Sequence, residues 1–370
     1  MIPAKRVIPI DWSQRIAKCK PHPFFAQALA ALDAGDLQLL RSLIKAEPDL
    51  IHARANLEPP YHYFTGATLL HHVAGNPGRN SLPSNIVKLA GLLLDSGADG
   101  NASTLGPNGG TTMGLLITSK LASDAGVSAP LIDLLLKHGA KLNLTKAGIL
   151  DAPLANHAPC AAEKMIKLGA QVDLCAAAAL GRMKLIQGFF DAKGYLRPRP
   201  RRNGRVLSQR DAIGLALLFA YVNRQRAAVD FLLQKDGNWE MLGVNNGTVL
   251  HRAAVSGDLG MVQRLMAKGA SLSNRNNPFN ATPYSWADHF QQTAVCKWMR
   301  ENCAIDLHDA VCFDLRRQVR DRLREDPTSI HKRLNQWRDM PNSTPLQCAI
   351  FMKRKAMARL LLAMGAEETS

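Results

Sequence analysis

Residues 248–271 read TVLHRAAVSGDLGMVQRLMAKGAS, and this stretch decides the fold. Thr248 can cap a helix with its hydroxyl, and the apolar residues that follow recur at helical spacing. Ser256-Gly257-Asp258 then breaks the pattern with a tight turn. A second helical run follows, and Gly269-Ala270 ends it at a position suited to a left-handed backbone. The stretch is therefore two short antiparallel helices.

The same ending recurs along the chain. It appears as LLLDSGAD at 92–99, LLLKHGAK at 134–141, MIKLGAQ at 165–171, LMAKGAS at 265–271 and LLAMGAE at 361–367. Gly97, Gly139, Gly169, Gly269 and Gly365 serve as landmarks. Asp236 and Asn302 fall in the same slot, and Glu47, Lys193 and Asp326 close weaker units. Mean spacing over these landmarks is about 35 residues, which signals stacked repeats. The opening motif recurs as TLLHHVA at 68–74, TPYSWA at 282–287 and TPLQCA at 344–349. Pro directly after a capping Thr suits the first turn of a helix.

The pairing of T-P-L-H-x-A with a helical L-L and a closing G-A resembles the ankyrin repeat. The resemblance implies an all-α, helix-turn-helix solenoid of about ten degenerate repeats with loop insertions, spanning residues 24–370. Residues 1–23 are left as an N-terminal arm or cap. A helix pair of this length cannot bury its own apolar face, so units must stack and share a core. Such a stack leaves no room for a separate catalytic domain. The resemblance implies a non-enzymatic binding scaffold that recognises a protein through its concave face and finger loops.

The chain has 370 residues with 46 Lys and Arg against 30 Asp and Glu, a net charge of +16. This excess points to an acidic partner without specifying one. Seven cysteines at irregular spacings suit reduced thiols. The most apolar run, 213–222, is far shorter than the ~20 residues that span a bilayer. A cytoplasmic setting is expected, or the host cell or its nucleus if the chain is a secreted bacterial effector.

Insertions are the places to look for recognition. Residues 58–64 (EPPYHYF) place Tyr61, Tyr63 and Phe64 in a loop, either as docking anchors or folded back on neighbouring helices. In the fingers between units, Phe279 and Trp337 are further partner-binding candidates, the alternative being packing against the adjacent finger. The insertion near 194–210 carries Arg197, Arg199, Arg201, Arg202 and Arg205. Its prolines are expected to keep it extended, and nucleic acid is the alternative partner to protein for this basic patch. The resemblance gives His71 and His251 a structural place, bonding turn carbonyls between repeats. Cys296, Cys303, His308 and Cys312 match no usual zinc spacing. No P-loop, G-x-S-x-G or H-E-x-x-H occurs. No catalytic, metal or cofactor site is expected.

Overall fold

The computed structural model describes residues 22–55, 62–75, 79–106, 109–198, 201–202, 205–243, 247–337 and 340–367. They form two compact units, Met1–Asp173 and Leu174–Ser370. In each, helices pair as tight hairpins. The first unit holds α1 (Phe25–Ala34) with α2 (Leu37–Ala46), a 3-10 turn (Leu69–Ala74) with α3 (Ile86–Asp95), α4 (Thr112–Ile117) and α5 (Lys120–Asp124) with α6 (Ser128–Lys137), and α7 (Asp151–Ala155) with α8 (Pro159–Lys167).

The second unit continues with α9 (Leu174–Ala179) and α10 (Met183–Gly188), then a short ribbon of β1 (Arg201–Arg202) and β2 (Arg205–Val206). Next come α11 (Gln209–Val222) with α12 (Arg226–Leu233), α13 (Val249–Ser256) with α14 (Leu259–Ala267), α15 (Pro283–His289) with α16 (Thr293–Asn302), and α17 (Leu307–Cys312) with α18 (Arg316–Glu325). A ribbon of β3 (Leu334–Trp337) and β4 (Met340–Ser343) leads into α19 (Pro345–Phe351) and α20 (Lys355–Ala363). Described residues thus give ten pairs, all-α apart from the two ribbons, as the repeat pattern predicts.

Left-handed backbone marks the turn inside each pair. It falls at Gly35, Gly75, Gly126, His157, Gly181, Arg224, Gly257, Gln291, Asp314 and Lys353. The landmark glycines 97, 139, 169, 269 and 365 are left-handed as well, at the far end of each second helix. The polar residues in that slot behave differently. Glu47 and Asp326 have φ of −132° and −140°, and Asn302 is the last residue of α16. Those helices end without a left-handed turn.

The Thr caps form as the pattern requires. Thr111, Thr248, Thr282 and Thr344 each accept a backbone N–H three residues on, at 3.1–3.4 Å. Between helices the cores are close-packed. In α9 every residue of Leu-Cys-Ala-Ala-Ala-Ala is buried, and these small side chains let α11 approach. Gly214 on α11 underlies the Asn238 carbonyl so closely that a Cβ there would overlap it.

Candidate interaction surface

Histidines lock successive repeats together. In His251 the Nδ1 accepts from the Thr248 N–H at 3.3 Å and from its hydroxyl at 2.8 Å. Its Nε2 reaches the Ala281 carbonyl, in the loop leading to the next pair, at 3.1 Å. A carbonyl only accepts, so Nε2 carries the proton and the ring is neutral. His71 repeats the arrangement with Thr68 and the Ala102 carbonyl, at 3.0 Å. Burial pushes both imidazoles down to about 4. The structural place expected for His71 and His251 is what these bonds describe.

His308 makes the same reach, with Nε2 3.3 Å from the Ser343 carbonyl. Burial lowers its pKa too. Its motif, Asp306-Leu307-His308, lacks the Thr, which is why the sequence pattern passes over it. Beside it lies a buried ion cluster. Arg275 pairs with Asp306 at 2.7 Å and Asp309 at 2.8 Å, and the Thr282 and Ser285 hydroxyls also donate to Asp309. Burial works to raise Asp306, but Arg275, His308 and the hydrogen bonds from Arg275 and the Asp309 N–H together hold the carboxyl below its ordinary range. Burial pushes Asp309 upward. This cluster ties the finger before α15 to α17.

Part of the surface around α13 and α15 is accessible. Arg252 and Trp286 each lie four residues after a capping Thr, in the variable slot of T-P-L-H-x-A, on the neighbouring helices α13 and α15. The Arg252 guanidinium sits 5.6 Å from the Trp286 ring centre, and that ring meets His251 edge-on at 4.9 Å. Phe279 projects from the adjoining finger and meets Trp286 edge-on at 6.2 Å, yet remains 73% exposed. Its backbone N–H bonds the Asn277 side chain, which also binds the Ala281 carbonyl at 2.7 Å. The finger is therefore built, and Phe279 is held out from it.

Other expected anchors fare differently. Phe64 is fully buried, edge-on to His72 at 4.9 Å and to Tyr63 at 5.5 Å. It is a core residue, folded back on its neighbours and not a docking anchor, in a segment closed by the Ala55–Ala67 bridge. Tyr63 is half-buried, with its carbonyl bonded by the Thr104 hydroxyl at 2.8 Å. Tyr61 lies outside the described residues. Trp337 ends β3, paired with Met340 of β4.

The arginine insertion is a ribbon, not the extended loop its prolines suggest. Arg201 pairs with Val206 and Arg202 with Arg205. Arg201 and Arg205 are exposed. Arg197 is spent on Asp191 at 3.4 Å. Arg199 lies outside the described residues.

Three of these helix pairs are tied to the next loop by a histidine, at His71, His251 and His308. The ankyrin repeat family model matches residues 245–277, the segment that contains α13, α14 and the His251 latch. Residues 245–277 are an ankyrin repeat by that match, and the described residues hold ten helix pairs. Among solved structures it is similar to the human ASB11 ankyrin repeat domain, at 19% identity, covering 73% of this chain and 96% of that one with a TM-score of 0.32. No curated protein matches the chain. Ankyrin repeats generally mediate protein–protein interaction and bind protein partners. No helix of the described residues is long and apolar enough to cross a membrane.

Proposed function

We propose that the chain is a non-catalytic scaffold that docks a protein partner on the surface made by Phe279, Trp286 and Arg252. One observation carries this reading. Phe279 is a large apolar side chain at 73% exposure, held in one place by a built finger and an edge-on contact to Trp286. An exposed ring that is already ordered loses little entropy on binding, which is the property of an interface anchor. Arg252 beside it sets a cation over the Trp286 ring.

Trp337 is proposed as a further contact within the second unit, and Tyr61 and Tyr63 are proposed separately as contacts of the first unit, from their place in insertions or fingers of the sequence. Site-specific photo-crosslinking tests the reading. A benzophenone side chain at position 279 is expected to capture discrete proteins from source-cell lysate, and the same group at exposed Gln263 on α14 is not. Equal capture at both positions would sink the proposal.

A further inference from the structure

The first helices α17 and α19 belong to successive pairs and pack against each other. His308 on α17 reaches the Ser343 carbonyl, just before the Thr344 cap of α19, at 3.3 Å. Cys312 follows His308 by four residues, and Cys348 follows Thr344 by four. Residues four apart share one face of a helix. The two equal steps therefore bring one thiol to the other, and Cys312 and Cys348 are hydrogen-bonded through their sulfurs. Beside them the Arg354 Nε donates to the Cys312 carbonyl at 3.3 Å, which ties the turn before α20 to the end of α17. The matching positions of α13 and α15, counted from the Thr248 and Thr282 caps, are Ala254 and Trp286. The thiol pair is thus particular to this junction and no duty of the repeat.

Both thiols are buried, yet they are chemically unequal. Burial, and then the bond to Cys348, push the Cys312 thiol up, so it keeps its proton. That same bond pulls Cys348 below the ordinary thiol value, and Arg275 adds to it, against burial and the carboxylates of Asp306 and Asp309. The thiolate is the nucleophilic form of cysteine. Cys348 is the sulfur that reacts first, and Cys312 is the one that closes the bond.

We propose that Cys312 and Cys348 are an oxidation site for hydrogen peroxide, closing to a disulfide that clamps α17 to α19. The Cys348 thiolate attacks one oxygen of the peroxide and the O–O bond breaks. Hydroxide leaves, takes up the proton that Cys348 had released, and Cys348 becomes a sulfenic acid. The Cys312 sulfur then attacks the Cys348 sulfur, the S–O bond breaks, and water leaves with the Cys312 proton. Two thiols and one peroxide become one disulfide and two waters. Peroxide is close to water in size, which suits sulfurs reached through local opening of a helix pair. The same burial shields the finished bond from bulky reductants. The crosslink closes a loop that contains α18 and restricts the unfolded chain, so the oxidised form is the more stable one. This site needs no partner protein and does not rest on the Phe279 surface.

The test exposes the folded full chain to hydrogen peroxide, quenches it in denaturant with an alkylating agent, and reads the cysteines by peptide mass spectrometry. The parent is expected to yield a peptide pair linked between Cys312 and Cys348 that a reductant separates. The oxidised parent is expected to melt about 5 °C or more above its reduced form. Cys348→Ser, treated in the same way, is expected to keep Cys312 alkylated and to show no such rise. Cys312→Ser is expected to leave Cys348 open to a sulfenic-acid trap added at the quench. Melts of the untreated variants show whether each is folded, and the parent result stands without them. Recovery of Cys312 and Cys348 from the parent as two alkylated thiols overturns the proposal, as does a link that forms only after urea has removed the fold. A linked parent that melts with the reduced form overturns the clamp. Sulfenic acid trapped at Cys312 in Cys348→Ser, and not at Cys348 in Cys312→Ser, overturns the order of attack.

Discussion

His251 and Ala281 are thirty residues apart in sequence, and the histidine Nε2 lies 3.1 Å from the alanine carbonyl. The bond joins one helix pair to the loop that begins the next. Replacing His251 by Ala leaves the buried Thr248 N–H and hydroxyl without their partner and leaves the Ala281 carbonyl with the Asn277 amide alone, which costs about 1–3 kcal/mol. Urea melts of His251→Ala against the parent are expected to show that loss.

Acid should weaken the fold through the same groups. His71 and His251 titrate near 4 in the folded chain, and burial with no hydrogen-bond partner among the described residues takes His72 to about 3. The unfolded chain takes up these protons near the ordinary value of 6.5, so it binds more protons than the native state below that pH. Stability is therefore complete above pH 6.5 and falls as the pH drops from 6.5 toward 4. Each of these histidines contributes about 1.4 kcal/mol per pH unit within the window. Melting temperatures measured from pH 7 to pH 4.5 check this, and His251→Ala is expected to flatten the dependence.

Two left-handed glycines should respond unequally to substitution. Gly257 has φ of 71°, and a Cβ there would overlap the Gln292 side chain, which bonds the Val255 carbonyl at 2.9 Å. Gly269 has φ of 82° with nothing within 4 Å of a Cβ. Both alanine variants bear the left-handed penalty of about 1–2 kcal/mol. Gly257→Ala also disturbs the inter-repeat bond and is expected to cost about 1 kcal/mol more than Gly269→Ala. Comparing the two melts decides it.

Arg275 should be the most costly single residue of the second unit's polar set. Its side chain is 9% exposed and pairs with Asp309, which is 1% exposed, and with Asp306. Arg275→Met leaves two carboxylates buried without their cation, a loss of about 3–5 kcal/mol. A variant that melts within 1 kcal/mol of the parent would contradict this account of the cluster.

Much of the architecture is legible in the sequence because the repeat repeats. Thr248, Leu250, His251 and the Gly269 turn each have a physical duty, and recurrence of those residue types marks the pairs. What escapes the eye is a duty done by an unusual residue. Arg224, Gln291 and Lys353 hold the left-handed turn that Gly257 holds elsewhere, and no composition rule flags them. His308 works as a latch behind an Asp cap. Phe64 looks like an anchor from its loop-like neighbours, yet the bridge between Ala55 and Ala67 turns it inward. Nothing in one unit's sequence marks Trp286 and Arg252, because their contact across helices depends on stacking that one unit cannot display.

The central claim is that the Phe279 surface binds protein. Quantitative affinity capture from source-cell lysate, parent against Phe279→Ala, measures it most directly. Phe279 is exposed, so the alanine variant should fold normally and lose its protein partners by roughly tenfold or more, matching an anchor worth at least about 1.4 kcal/mol. The same proteins recovered in the same amounts by both forms would contradict the account.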